Sequence, residues 1–219
     1  MKRIIVIFIT LLTFISVNAA IVDTIQVYSK TMQKNIPVVV IRPDNYNSLK
    51  ALPVVYMLHG YSGNHQDWVK KAGGFEIAAD QHSLMIVCPD GGFNSWYWDS
   101  PVNPGSQYET FVSDELIKAI DSKYKTIKGR EGRGITGLSM GGHGGLYLAF
   151  RHQDVFGVAG SMSGGVDIRP FPNNWDMAKQ LGTYAEQPER WEKYTVINQL
   201  HLLTPNSLAI IIDCGTEDF

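Results

Sequence analysis

What this chain has little of narrows its chemistry before any motif is read. Its 219 residues hold two cysteines, Cys88 and Cys214, too few for the disulfide framework that staples small secreted domains. The net charge is −2, which argues against a nucleic-acid surface. No Walker loop, no His-Glu-x-x-His and no paired Cys-x-x-Cys occurs, so neither a nucleotide phosphate nor a zinc ion is signalled. His59 and His65, six apart across a glycine turn, make a poor metal pair, and no cofactor is expected. Gly132 to Gly137 spells G-x-G-x-x-G, but it precedes a strand through Ile135, where a dinucleotide loop must follow one. Repeats and low-complexity tracts are absent too.

The one long apolar run is also limited. Lys2 and Arg3 precede Ile4 to Val17, and Asn18-Ala19-Ala20 closes the stretch. That order is the charged, apolar and small-residue order of a secretory signal peptide, and the run is short for a bilayer span. Residues 1–20 are therefore assigned to a leader and residues 21–219 to one domain. A secreted or periplasmic protein is expected, with no membrane span after cleavage. No cysteine follows the run to carry a lipid.

What remains is rich in alternating elements. Ile21 to Tyr28 and Ile36 to Arg42 read as an N-terminal hairpin around a polar turn. Leu52 to Leu58 and Leu84 to Cys88 are uninterrupted apolar runs that end in glycine-rich turns, His59-Gly60-Tyr61-Ser62-Gly63 and Pro89-Asp90-Gly91-Gly92. Such runs suit a parallel sheet covered on both faces. Phe111 to Tyr124 carries Val112, Leu116 and Ile120 at four-residue spacing, which predicts an amphipathic helix. Val155 to Met162 and Leu208 to Ile212 read as further strands, and the polar stretch from Arg169 to Glu192 as helices flanking the active-site end. The pattern predicts an α/β doubly wound sheet, whose functional groups gather at the carboxyl ends of the strands.

One segment organises the rest. Gly137-Leu138-Ser139-Met140-Gly141 matches G-x-S-x-G, in which a serine sits on a sharp strand-to-helix turn. The glycines are physically required, because the turn brings backbone too close for side chains. Free amides at the start of the following helix favour a developing oxyanion. The bland alternative is a glycine-rich loop.

With its neighbours the segment becomes specific. Leu58 to Gly63, Pro89-Asp90-Gly91 with Asn94-Ser95-Trp96-Tyr97, the 137–142 turn and Asp213-Cys214-Gly215-Thr216-Glu217-Asp218 resemble, in order, the α/β-hydrolase esterases. That group includes S-formylglutathione hydrolases, feruloyl and acetylxylan esterases and mycolyltransferases, and the closest likeness is to exported feruloyl-esterase-like members. The resemblance implies an α/β-hydrolase fold and a serine esterase working through an acyl-enzyme. Ser139 would be the nucleophile, Asp218 the acid, and the Tyr61 and Met140 amides the oxyanion hole. Asp213 is the second candidate for the acid. His59, Trp96 and Tyr97 are assigned to substrate binding; the His59 ring is also expected to hold its loop, and the aromatics could instead pack that loop against the core.

In the family the base is a histidine beyond this aspartate, after one more strand and helix. The sequence stops at Phe219, and its six histidines all precede Asp218. A truncated copy, poorly active and lacking an edge strand, is the expectation. The usual strand order sets Cys88 and Cys214 four strands apart, roughly 19 Å at strand spacing, so two free thiols are expected. The expected substrate is a small-molecule or polysaccharide ester outside the cell. Two alternatives stay open: an acyltransferase of the same fold, and a non-catalytic carbohydrate-binding protein.

Overall fold

A computed structural model describes residues 19–218; the leader expected over residues 1–20 therefore falls almost wholly outside the described residues. Strands β1 (Ile21–Ser29) and β2 (Lys34–Arg42) form the expected antiparallel hairpin. They are followed by β3 (Val54–Leu58), helix α1 (Phe75–His82), β4 (Met85–Pro89), and a helical stretch built from α2 (Tyr108–Thr110), a π turn (Phe111–Glu115) and α3 (Leu116–Lys123). Next come β5 (Arg133–Gly137), α4 (Met140–Arg151), β6 (Val158–Met162), α5 (Met177–Leu181), α6 (Pro188–Tyr194) and β7 (Ala209–Asp213).

The seven strands make one sheet in the order β1-β2-β4-β3-β5-β6-β7. The hairpin joins β4 antiparallel, and the other pairings are parallel. The uninterrupted apolar runs are explained by burial on both faces. Val38 and Val40 of β2 enter the larger core, while Val39 and Ile41 enter a second one. The same alternation divides Tyr56 and Leu58 from Met57, and Met85 and Val87 from Ile86 and Cys88. Side chains two apart share a face, so both faces of this sheet are covered. Leu116 and Ile120 of α3, with Leu146 and Phe150 of α4, pack into the larger core.

One helix escapes the sequence reading. Only Ala79 of α1 is buried, and Ile77 is 61% exposed, so no apolar stripe marks it. Its start is an αL glycine, Gly74, with no side-chain cap. Cys88 and Cys214 are both free thiols, one buried and one exposed, and Cys88 lies in β4, four strands across the sheet from β7. At the outer edge of the described sheet, Ile211 and Ile212 of β7 are exposed. Among the described residues, no helix is long and apolar enough to cross a membrane.

Candidate active site

The strand ends are level where the site forms. Leu58 pairs with Gly137, Leu138 bridges Met162, and the Ser163 amide donates to the Asp213 carbonyl at 2.8 Å. The turns after β3, β5, β6 and β7 thus meet at the carboxyl rim, where functional groups collect in such sheets.

Ser139 stands between β5 and α4 in a conformation that few non-glycine residues adopt, φ 56° and ψ −116°. Its own amide donates to the Met162 carbonyl at 2.9 Å, which holds the bend against the next strand. Glycine is needed on both sides. A Cβ on Gly137 would lie 2.5 Å from the Leu58 and Gly141 carbonyl oxygens, and one on Gly141 would collide with the same Leu58 carbonyl. Ser139 is exposed, and its hydroxyl makes no hydrogen bond to another described residue. The bend leaves the side chain open to solvent.

The two amides expected in an oxyanion hole both lie in segments that adjoin Ser139. Met140 begins α4, and the first amides of a helix have no acceptor within it. A Cβ on Gly60 would lie 3.6 Å from the Ser139 Cβ, so the 59–63 turn abuts the serine. Among the described residues the Tyr61 amide donates to no carbonyl, whereas Ser62 donates to Phe93 and Gly63 to Gly60.

A cleft of 360 Å³ opens beside Ser139. Trp96, Ile168, Phe171 and Trp175 give it apolar walls, and Asp218 and Cys214 stand at its rim with the serine. The expected acid and nucleophile therefore share one cleft. Cys214 Sγ donates to Asp218 Oδ2 at 3.4 Å, and this carboxylate pushes the thiol pKa up. A protonated thiol is a weak nucleophile. Asp213, the second candidate for the acid, is the last residue of β7, and its carbonyl is taken by Ser163.

The three expected substrate contacts divide. Trp96 lines the cleft, stacked on Trp98 with centroids 5.5 Å apart. His59 and Tyr97 are both buried, and neither is among the cleft's lining residues. His59 Nδ1 lies 2.8 Å from the Gly60 carbonyl, so that nitrogen carries the proton, and Nε2 accepts from the Gly91 amide at 2.7 Å. The ring ties the turn after β3 to the turn after β4, and burial lowers its pKa. Tyr97 donates to the His59 carbonyl at 3.0 Å. Both shape the site from behind.

Among the described residues no histidine lines the cleft. His65 pairs with Asp90, His152 with Glu109, and His201 lies against the Asn198 carbonyl. His143, one turn after Ser139, points inward: its Nε2 accepts from the Trp98 indole at 2.8 Å and its Nδ1 donates to the Gly165 carbonyl at 2.7 Å. Burial lowers its pKa to about 4. The unfolded chain, with an ordinary histidine pKa near 6.5, binds this proton first as pH falls. Stability from this group is therefore complete above about pH 6.5 and declines towards pH 4, by about 3 kcal/mol at 1.36 kcal/mol per unit. Urea denaturation between those pH values measures the decline, and His143→Gln is expected to flatten it. An equal slope in the variant would contradict this assignment.

The Esterase family model matches residues 29–219. The chain belongs to the Esterase family. Esterase Rv1288 of Mycobacterium tuberculosis (strain ATCC 25618 / H37Rv) is 35% identical over 136 residues, 59% of this chain and 29% of that protein. The diacylglycerol acyltransferase/mycolyltransferase Ag85B of Mycobacterium leprae (strain TN) is 33% identical over 213 residues, 89% of this chain and 63% of that protein. The chain thus spans less than two thirds of the length of both. Among solved structures, a ferulic acid esterase superposes with a TM-score of 0.73 at 27% identity, covering 90% of this chain and 79% of that one. Esterase-family membership accounts for the α/β-hydrolase arrangement of sheet, bend and rim. Sequence reading set the stretch from Arg169 at the active-site end but did not single out Ile168, Phe171 and Trp175 as the cleft's walls, since they carry no motif and meet the serine only through the fold.

Proposed function

We propose that this esterase-family chain is a serine carboxylic ester hydrolase, with Ser139 as nucleophile and the Tyr61 and Met140 amides as oxyanion donors. The single observation that carries the reading is the exposed Ser139 hydroxyl on a left-handed bend, in the same cleft as Asp218. Attack by Ser139 Oγ on an ester carbonyl would form the acyl-enzyme and release the alcohol; water would then release the acid. Two backbone amides aimed at the developing oxyanion lower the barrier to both steps. Asp218 is the acid of this reading; the histidine it would orient to accept the serine proton lies, by the family resemblance, beyond this aspartate, and among the described residues no histidine lines the cleft. The apolar walls favour the acyl part of the substrate in the 360 Å³ cleft. The charged, apolar and small-residue order of residues 1–20, read as a leader, supports an exported enzyme acting on acyl groups of extracellular polysaccharide or related esters.

Acyl transfer is the second reading, favoured by the likeness to Ag85B. Product analysis separates the two. With a p-nitrophenyl ester and an added sugar, free acid is expected as the main product at every sugar concentration. A sugar ester that grows at the expense of the acid would overturn hydrolysis in favour of transfer.

A further inference from the structure

The turn that carries the Tyr61 amide is held by more than its own backbone. Tyr61 packs edge-on against Phe93, with centroids 4.9 Å apart, and its hydroxyl donates to Asp176 Oδ2 at 3.1 Å. The same oxygen accepts from Asn94 Nδ2 at 3.4 Å, and Oδ1 pairs with Lys179 Nζ at 2.9 Å. Gln180 in turn donates to Asn94 Oδ1 at 3.0 Å. Asp176 thereby gathers donors from the turn after β3, the loop after β4 and helix α5. The Lys179 contact, helped by Tyr61 and Asn94, keeps its carboxyl below the usual range.

Its backbone is as telling as its side chain. Trp175 and Asp176 are consecutive non-glycine residues with positive φ, 48° and 56°. Such conformations persist only where the surroundings over-determine them, and they cluster at functional sites. Trp175 lines the cleft, and its carbonyl accepts from the Trp96 indole at 3.2 Å. This strained pair sends one side chain into the cleft wall and the next onto the turn beside Ser139.

We infer that Asp176 is a positioning residue: through the Tyr61 hydroxyl it holds the Tyr61 amide in register beside Ser139 and joins that amide to the cleft wall at Trp175. The inference rests on the reading of Tyr61 N–H as an oxyanion donor and extends it to what keeps that donor still. An oxyanion donor works by being in place before charge develops. Displacement by a fraction of its hydrogen-bond length forfeits much of the effect. Gly60, next to Tyr61, offers little stiffness of its own, so the side-chain tether supplies it.

The test uses Tyr61→Phe, Asp176→Ala and Asp176→Asn in the full chain. Hydrogen exchange by mass spectrometry is expected to show residues 60–63 exchanging about tenfold faster in the first two variants, the scale of one lost hydrogen bond to a charged group. Exchange elsewhere should be unchanged in Tyr61→Phe, which leaves the Asn94 and Lys179 contacts of Asp176 in place. Asp176→Asn, whose side-chain carbonyl still accepts, should keep most of the protection. Ester turnover should lose about tenfold in kcat with KM held, and the Tyr61→Phe/Asp176→Ala double variant should be no worse than either single one. Unchanged exchange in 60–63, or losses that multiply in the double variant, would overturn the tether. Should Asp176→Ala fail to fold, Tyr61→Phe alone decides. The exchange arm needs no turnover, so it judges the tether even if Ser139→Ala shows that the serine reading is wrong.

Discussion

Ser139→Ala is expected to lower ester turnover by on the order of 10³-fold or more, because no other group in the cleft can carry the acyl intermediate. Covalent labelling by a fluorophosphonate, mapped by peptide mass, should vanish with it. Two neighbours could in principle take over. Cys214 is held protonated by Asp218, and Ser163 is engaged with Cys214 and, through its amide, with Asp213. Ser163 also turns through a positive φ, 48°, so mapping the labelled peptide is what separates it from Ser139. Alanine keeps the backbone demand of φ 56°, so the stability of Ser139→Ala should match the parent. Ser139→Gly should lose the same activity while relieving the bend, a strain of about 1–3 kcal/mol in such regions, offset by about 0.5–1 kcal/mol for glycine's freedom in the unfolded chain. Its midpoint should therefore sit at or above that of the alanine variant. Undiminished labelling in Ser139→Ala would remove residue 139 from the chemistry altogether.

Gly141→Ala sets helix propensity against packing, and packing is expected to win. Gly141 lies within α4, where alanine is ordinarily better by about 1 kcal/mol. Here the added methyl would collide with the Leu58 carbonyl oxygen and stand 2.8 Å from that of His59. Both are backbone atoms at the end of a strand buried in the sheet, and they cannot yield as a side-chain tip would. A net loss of about 3 kcal/mol is expected, at the upper end for an overpacked site, and it lowers the melting midpoint by about 6–12 °C for a domain of this size. Because relief of the clash must push α4 away from β3, it also moves the Met140 amide relative to Ser139. Turnover should fall more than stability alone explains. Gly105→Ala is the control: its Cβ would meet only Asn103 Oδ1, at 3.3 Å, and a change within about 0.5 kcal/mol is expected for such a surface site. Equal midpoints for Gly141→Ala and the control would refute the close approach.

Much of the fold was legible in the residues because its signals are local. Apolar runs ending in glycine turns marked β3 and β4, and the turn at 137–141 marked the elbow. The strands differ from their expected ends by a few residues, as for Val158–Met162 against an expected start at Val155. Helix α1 was invisible, because it buries only Ala79 and so carries no periodic stripe. His59 and Tyr97 show the limit for the site. A motif places residues along the chain but does not say which way a ring turns, and both turned inward to satisfy buried backbone groups.

By itself the sequence determined where the sharp bend falls: a serine in a glycine-flanked turn, at the end of a strand in a parallel sheet, follows from sterics within five residues. Only the tertiary structure decided which wall faces that serine and what steadies the amides around it. Asp176 lies 115 residues from Tyr61, and no local pattern links two polar side chains across that separation. Their meeting follows from strand order and helix packing, which the whole chain settles together.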